Sequence, residues 1–231
     1  MRNLAYMAGY LLFFGAADEM QAQADCHAVE YQGHVYRCVQ IDNQCWFAEN
    51  LRAKSYANGD AIPGNLSHFD WLKTKSGAQA IYDQDADHLE TFGCLYNWFA
   101  VADPRGLCPN GWHVPSDEEW MALEMFLGMG ESDAESTGWR GTDEGTQMKS
   151  STSDTPSWDG TNSTGFSGLP GGFRDRFGYF LKQGEGGYFW SAAANGPPQV
   201  WFRQLISSSN YIHRLVYNTN SGFSVRCIRD E

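Results

Sequence analysis

Gly106-Leu107-Cys108-Pro109-Asn110-Gly111-Trp112-His113-Val114-Pro115-Ser116-Asp117-Glu118-Glu119-Trp120 is the stretch on which the fold turns. Ser116 stands as a helix N-cap with Glu119 at N3, the reciprocal arrangement that satisfies two otherwise orphaned backbone donors. Trp120, Leu123 and Leu127 follow at i, i+3 and i+7, and Gly128 stands at C′. The spacing predicts one helix between Ser116 and Gly128, with Trp120 and Leu123 facing the core. His113 lies just ahead of it. No nucleophile stands nearby in sequence, so His113, Trp112 and Pro115 read as structural residues and not as acid or base machinery.

Upstream, Tyr31 to Asn50 alternates apolar and polar residues at His34–Val39 and again at Cys45-Trp46-Phe47, with Asp42-Asn43 at the turn, which predicts a hairpin. From Ala53 to Leu89 the periodicity fades between turn signals, which predicts a long ordered loop. Downstream, residues 130–165 are dense in Gly, Ser, Thr and Asp and read as a loop insertion. The runs Phe189-Trp190-Ser191, Val200–Leu205, His213–Tyr217 and Gly222–Ile228 predict a strand meander over 189–228. One helix and many short strands give an α+β class with long ordered loops.

The chain has 231 residues, 42% hydrophobic and 15% aromatic, with 25 glycines, so it can bury a core. Its net charge of −12 repels phosphate backbones, which argues against a nucleic-acid partner. Met1-Arg2-Asn3, the apolar run Leu4–Ala17 and Ala22-Gln23-Ala24 fit a signal peptide cleaved after Ala24, with Asp18-Glu19 as its irregular part. The alternative to cleavage is a retained hydrophobic N-terminal anchor; a run of this length is too short to span a bilayer comfortably, so no stable membrane span is expected. Residues 25–231 then form a single exported domain, secreted or held at the cell surface or in the periplasm. It carries all six cysteines, an even count that argues for disulfides. Fifteen pairings are possible. Cys108 with Cys227 would clip distant segments, Cys38 with Cys45 a local one, and Cys26 with Cys94 is left by subtraction.

The Gly106–Trp120 run resembles the Fibrobacter succinogenes major paralogous domain family. So do Phe166-Ser167-Gly168-Leu169-Pro170-Gly171-Gly172-Phe173-Arg174, Phe189-Trp190-Ser191 and Gly222-Phe223-Ser224-Val225-Arg226-Cys227. Tyr31–Leu51 and Gly93-Cys94-Leu95-Tyr96-Asn97-Trp98 match its front half. The resemblance implies a C-type-lectin-like fold of the formylglycine-generating-enzyme subtype, on secreted or surface proteins of bacteria. It reads Trp46, Trp98, Trp190 and Phe223 as core. Some relatives are variable proteins of diversity-generating retroelements, diversified between the last two motifs, which corresponds here to 192–221.

Within that stretch Trp201, Phe202, Arg203, Asn210, Tyr211, His213, Arg214, Tyr217 and Asn218 are the candidate ligand-binding residues, because aromatic and Arg side chains give most contact energy per lost rotamer. Alternation along strands buries about half of any such set. Asp83, Asp85 and Asp87 could meet calcium, but the segment lacks the Gly and terminal Glu of an EF-hand loop and reads as a solvated acidic loop, so no cofactor is expected. A late pair of copper-binding cysteines, as in the formylglycine-generating oxidases, is missing, since Cys227 alone follows Cys108. No Gly-x-Ser-x-Gly elbow occurs. The expected function is non-enzymatic binding of a protein or glycan at the cell exterior. The alternatives are a cell-envelope or adhesin building block without a discrete site, and a degenerate oxidase.

Overall fold

The computed structural model describes residues 26–194 and 199–230. The expected signal peptide lies outside the described residues. The chain opens with β1 (Val29–Tyr31), β2 (His34–Tyr36), β3 (Cys38–Ile41) and β4 (Gln44–Phe47). It continues with α1 (His68–Lys73), β5 (Gln79–Ala80), a 3-10 turn at Tyr82–Gln84, α2 (His88–Phe92), β6 (Leu95–Asn97) and α3 (Trp98–Val101). Then come β7 (Trp112–His113), α4 (Asp117–Phe126), α5 (Glu131–Glu135), β8 (Gly138–Arg140) and α6 (Glu144–Met148). The closing strands are β9 (Gly171–Arg174), β10 (Phe180–Gln183), β11 (Gly186–Ala194), β12 (Gln199–Ile206), β13 (Ile212–Asn218), β14 (Gly222–Phe223) and β15 (Ile228–Arg229). Among the described residues, helices combine with three sheets in an α+β arrangement.

The expected helix is α4, and its cap is the one the sequence specifies. The Ser116 hydroxyl accepts from the Glu119 backbone N–H, and the Glu119 carboxylate accepts from the Ser116 N–H at 2.7 Å. Gly128 takes a φ of +117° beyond the helix end, a conformation that side chains rarely adopt. Trp120 and Leu123 are buried. The predicted hairpin resolves into two: β1 pairs with β2, and β3 pairs with β4 around Asp42, which sits at a φ of +52°.

The closing strands depart from a simple meander. β11, β12 and β13 run antiparallel in order, with β8 on the far edge. β14 crosses back to lie between β6 and β9, and β15 leaves for a separate sheet between β4 and β7. Arg226 explains the departure. Fully buried between those two strands, its guanidinium donates to the Asn50 side chain and to the carbonyls of Phe47, Phe166 and Ser167. Four acceptors from two distant segments satisfy this buried cation and fix the route of the chain.

Two predicted loops contain short elements. The 53–89 segment holds α1 and the start of α2, and 130–165 holds α5, β8 and α6. Each of these helices has at most six residues, too short to show a hydrophobic stripe, so packing and not sequence periodicity decides them.

Cysteine pairing is corrected in part. Cys108 bonds Cys227, as expected, but Cys45 bonds Cys26, and Cys38 and Cys94 are free thiols. Hairpin register is the reason: Cys45 stands opposite Gln40, so Cys38 is its diagonal neighbour, roughly 7 Å or more away, beyond disulfide reach. Burial pushes the Cys94 thiol up to about 12 and the Cys38 thiol up to about 11, so neither is a ready nucleophile.

Candidate functional site

Side chains alternate across a strand, so β12 and β13 sort the candidate residues onto two faces. The pairs Phe202↔Leu215, Gln204↔His213 and Val200↔Tyr217 put Phe202, His213 and Tyr217 on one face. Trp201, Arg203 and Arg214 fall on the other.

The second face packs on α4 and is closed by ion pairs. Arg203 donates to Asp117 at 2.7 Å and to Glu124 at 2.6 Å, and Arg140 from β8 donates to Glu124 at 2.7 Å. Arg214 is bound to both Asp117 oxygens and to the Glu135 carbonyl at 2.7 Å, and its guanidinium lies 3.8 Å from the centre of the Trp201 ring. All five charged side chains are buried. Burial pushes the Asp117 carboxyl up, but Arg214 and Arg203 outweigh it and hold the group below its ordinary 3.8. Arg203 and Arg214, expected as solvent-facing contacts, are therefore corrected: they hold the sheet to the helix. A guanidinium without a carboxylate would not remain in such a place.

The first face is open. Phe202, buried with Phe223, Phe173 and Tyr188, forms the floor of a groove of about 260 Å³. Leu215 and Tyr217, each 37% exposed, form one wall, and Leu181 and Lys182 of β10 the other. The rings pack on one another: Phe202 lies 5.0 Å from Phe223 and 5.6 Å from Tyr217. At one end His213 stacks on exposed Trp139 of β8 at 4.5 Å. His213 Nδ1 meets Gln204 Oε1 at 3.1 Å, and Gln204 donates to the Tyr188 hydroxyl at 3.0 Å. With the amide oriented in this way the neutral imidazole carries its proton on Nδ1. Burial, helped by the charge of Arg140, holds His213 below its ordinary 6.5. The groove thus offers aromatic and aliphatic surface, with a short polar chain at one end that can orient a ligand.

Of the remaining candidates, Tyr211 is exposed at the turn before β13. Asn210 serves the fold: its carbonyl accepts from Gly145 at 2.8 Å and its side chain accepts from Thr146 at 2.8 Å. Asn218 lines a shallow depression of about 320 Å³ with Asp175, Arg176, Phe177 and Tyr217. The sequence reading missed Leu181, Lys182, Gln204 and Leu215. Strict period-two counting along 200–206 and 212–218 would have found the last two; the β10 residues come from a hairpin with β9, which no pattern along β12 and β13 brings to the groove.

His113 is placed as a structural clamp. Its ring lies 2.6 Å from Asp230 and 2.8 Å from Glu119, joining the end of the chain to the cap of α4. Burial lowers the imidazole, but the two carboxylates outweigh it and hold the group above 6.5. Asp83, Asp85 and Asp87 do not converge. Asp83 lies in the 3-10 turn, Asp85 accepts from the Asp87 backbone, and among the described residues no three His, Cys, Asp or Glu side chains are grouped to hold a metal. Among the described residues no helix is long and apolar enough to cross a membrane.

No curated protein and no solved structure matches this chain. A family model does, over residues 39–229, which include α4, the ion-paired face and the whole groove. The chain belongs to the Fibrobacter succinogenes major domain family.

Proposed function

We propose that this chain is an exported, non-catalytic binding protein that takes a protein or glycan ligand of the cell exterior into the groove on β12 and β13. The observation that carries the reading is the groove itself. Three exposed apolar side chains, Leu181, Leu215 and Tyr217, meet there around a polar relay, Tyr188–Gln204–His213, which a purely structural surface does not need. Two disulfides support an oxidising, extracytoplasmic location. The non-catalytic reading is supported by Cys227, the only cysteine after Cys108 and bonded to it, which leaves no late pair of thiolates for an oxidase.

The C-type-lectin-like fold of the formylglycine-generating subtype is part of the same proposal, supported by family membership and by α4 packed beside a sheet that closes the chain. If residues 192–221 are diversified, the substitutions fall at Gln204, His213, Leu215 and Tyr217, which side chains of many shapes can replace without unfolding the sheet. They spare Arg203 and Arg214.

The test replaces His213, Leu215 and Tyr217 together by Ala and measures binding to whole cells, glycan arrays and surface-protein extracts. Binding present in the native protein and lost in the folded variant is the expected result. Unchanged binding overturns the reading in favour of a cell-envelope building block with no site at this groove.

A further inference from the structure

A cleft of about 350 Å³ opens on another part of the surface, and no residue lines both it and the groove. Its sides come from the segment after β4, from α2, and from the 150–169 loop. The volume lies within the ~300–1,000 Å³ range of small-molecule sites.

The lining identifies the chemistry by exclusion and by match. No aromatic ring lines the cleft, so it is not a second apolar groove. Three carboxylates, Glu49, Glu90 and Asp154, face two guanidiniums, Arg37 and Arg52, and the surplus of one negative charge disfavours an anion. A cation finds no open carboxylate pair. Glu49 is held by Arg37 at 3.0 Å and by Arg52 at 2.5 Å, and Asp154 accepts from the Ser151 N–H and from Asn162. What stays available is a mixture of donors and acceptors. Ser150 is 1% exposed, lines the cleft, and its hydroxyl has no hydrogen-bond partner. The Arg52 side chain is 10% exposed, and its Nε likewise has none, with Glu90 at 3.7 Å. Buried polar atoms of this kind are rare unless something else satisfies them. Thr91 and Glu90 add acceptors at the rim.

We infer that this cleft is a second binding site, for a neutral hydroxyl-rich ligand, a saccharide. A hydroxyl both donates and accepts, and a sugar offers several at fixed spacing, so it can meet Ser150, Arg52, Glu90 and Asp154 together. A carboxylate or phosphate is refused by Glu90 and Asp154, and an ammonium is refused by Arg52.

The test titrates the disulfide-intact protein with the methyl glycosides of glucose, galactose and mannose and with N-acetylglucosamine, followed by saturation-transfer NMR and calorimetry. Glucuronate and inorganic phosphate are the charged comparators. Saturable binding of at least one neutral saccharide is expected. Thr91→Trp, which fills the cleft from its half-buried rim, weakens it at least about tenfold, and Glu90→Gln weakens it several-fold in a protein of unchanged thermal stability. Tyr217→Ala, in the groove, leaves it unchanged. The inference is overturned if no neutral saccharide saturates, or if glucuronate or phosphate binds more tightly than all of them. It is also overturned if binding survives Thr91→Trp and Glu90→Gln, or is lost only with Tyr217→Ala, which would place the sugar in the groove.

Discussion

On one face of strands β12 and β13, Arg203 and Arg214 are shut against α4 by Asp117 and Glu124. On the other, Gln204, His213, Leu215 and Tyr217 stand half-buried or exposed around a floor of packed rings. Both faces come from the same strands, one residue apart. The charged face is the buried one and the apolar face the open one, the reverse of the usual partition. The inversion is stable because every buried guanidinium on the closed face has a carboxylate, while the rings at the bottom of the open face cover one another. What it teaches is that rigidity and recognition here are allotted by strand parity: one set of alternate positions fixes the sheet, and the other is left to meet a ligand.

The comparison breaks most severely at Asp117. Asp117→Asn leaves Arg203 and Arg214 without their shared carboxylate, and a loss of about 3–5 kcal/mol is expected in urea unfolding. A loss below ~1 kcal/mol would show that the ion pairs do not hold the face. Because Asp117 titrates below its ordinary value in the fold, its contribution is present above pH 3.8 and is lost as pH falls through the lower folded value. A smaller effect is expected at Trp201, a half-buried ring under Arg214: Trp201→Ala should cost about 1–2 kcal/mol by thermal denaturation. Tyr217→Ala, on the open face, should change stability by less than ~1 kcal/mol yet weaken groove binding at least about tenfold. Equal stability losses for Trp201→Ala and Tyr217→Ala would erase the distinction between the faces.

The smallest effects come from two histidines with opposite signs. His113, held above 6.5 by Asp230 and Glu119, contributes stability that is complete below pH 6.5 and lost as pH rises through its folded value. His213, held below 6.5 by burial, contributes stability that is present above pH 6.5 and lost as pH falls through its folded value. NMR titration of the two imidazoles should find His113 titrating after His213 as pH rises, and the reverse order would contradict the environments described for both.

The parts legible in the sequence are those set by neighbours. The Ser116–Glu119 cap, the Gly128 stop and the strands β11, β12 and β13 depend on contacts within a few residues, and each stands where the pattern puts it, whereas the predicted Gly222–Ile228 strand is split between two sheets. The burial of Arg203 and Arg214 was not legible, because Arg is ordinarily a surface residue and the partner Asp117 lies 86 and 97 positions away. Cys26 with Cys45 was hidden for the same reason: it follows from how the first hairpins fold, not from spacing. The groove was half legible. Phe202, His213 and Tyr217 were in the candidate set, but the opposite wall arrives on β10, which the order of the chain does not bring beside β13.

The two disulfides also decide how the chain would carry a pulling force. Tension entering at residue 26 passes across the bond to Cys45, skipping the first hairpins. Tension at the other end passes from Cys227 straight to Cys108, a separation of 119 residues. Between residue 26 and Cys227, only the segment from Cys45 to Cys108 can lengthen under load. Helix α4, the ion-paired face and the groove all lie inside the closed covalent loop. Pulled at residue 26 and beyond Cys227, the molecule would therefore give up the strands between Cys45 and Cys108 while the groove stays inside a closed covalent loop, for as long as Cys108 and Cys227 stay oxidised.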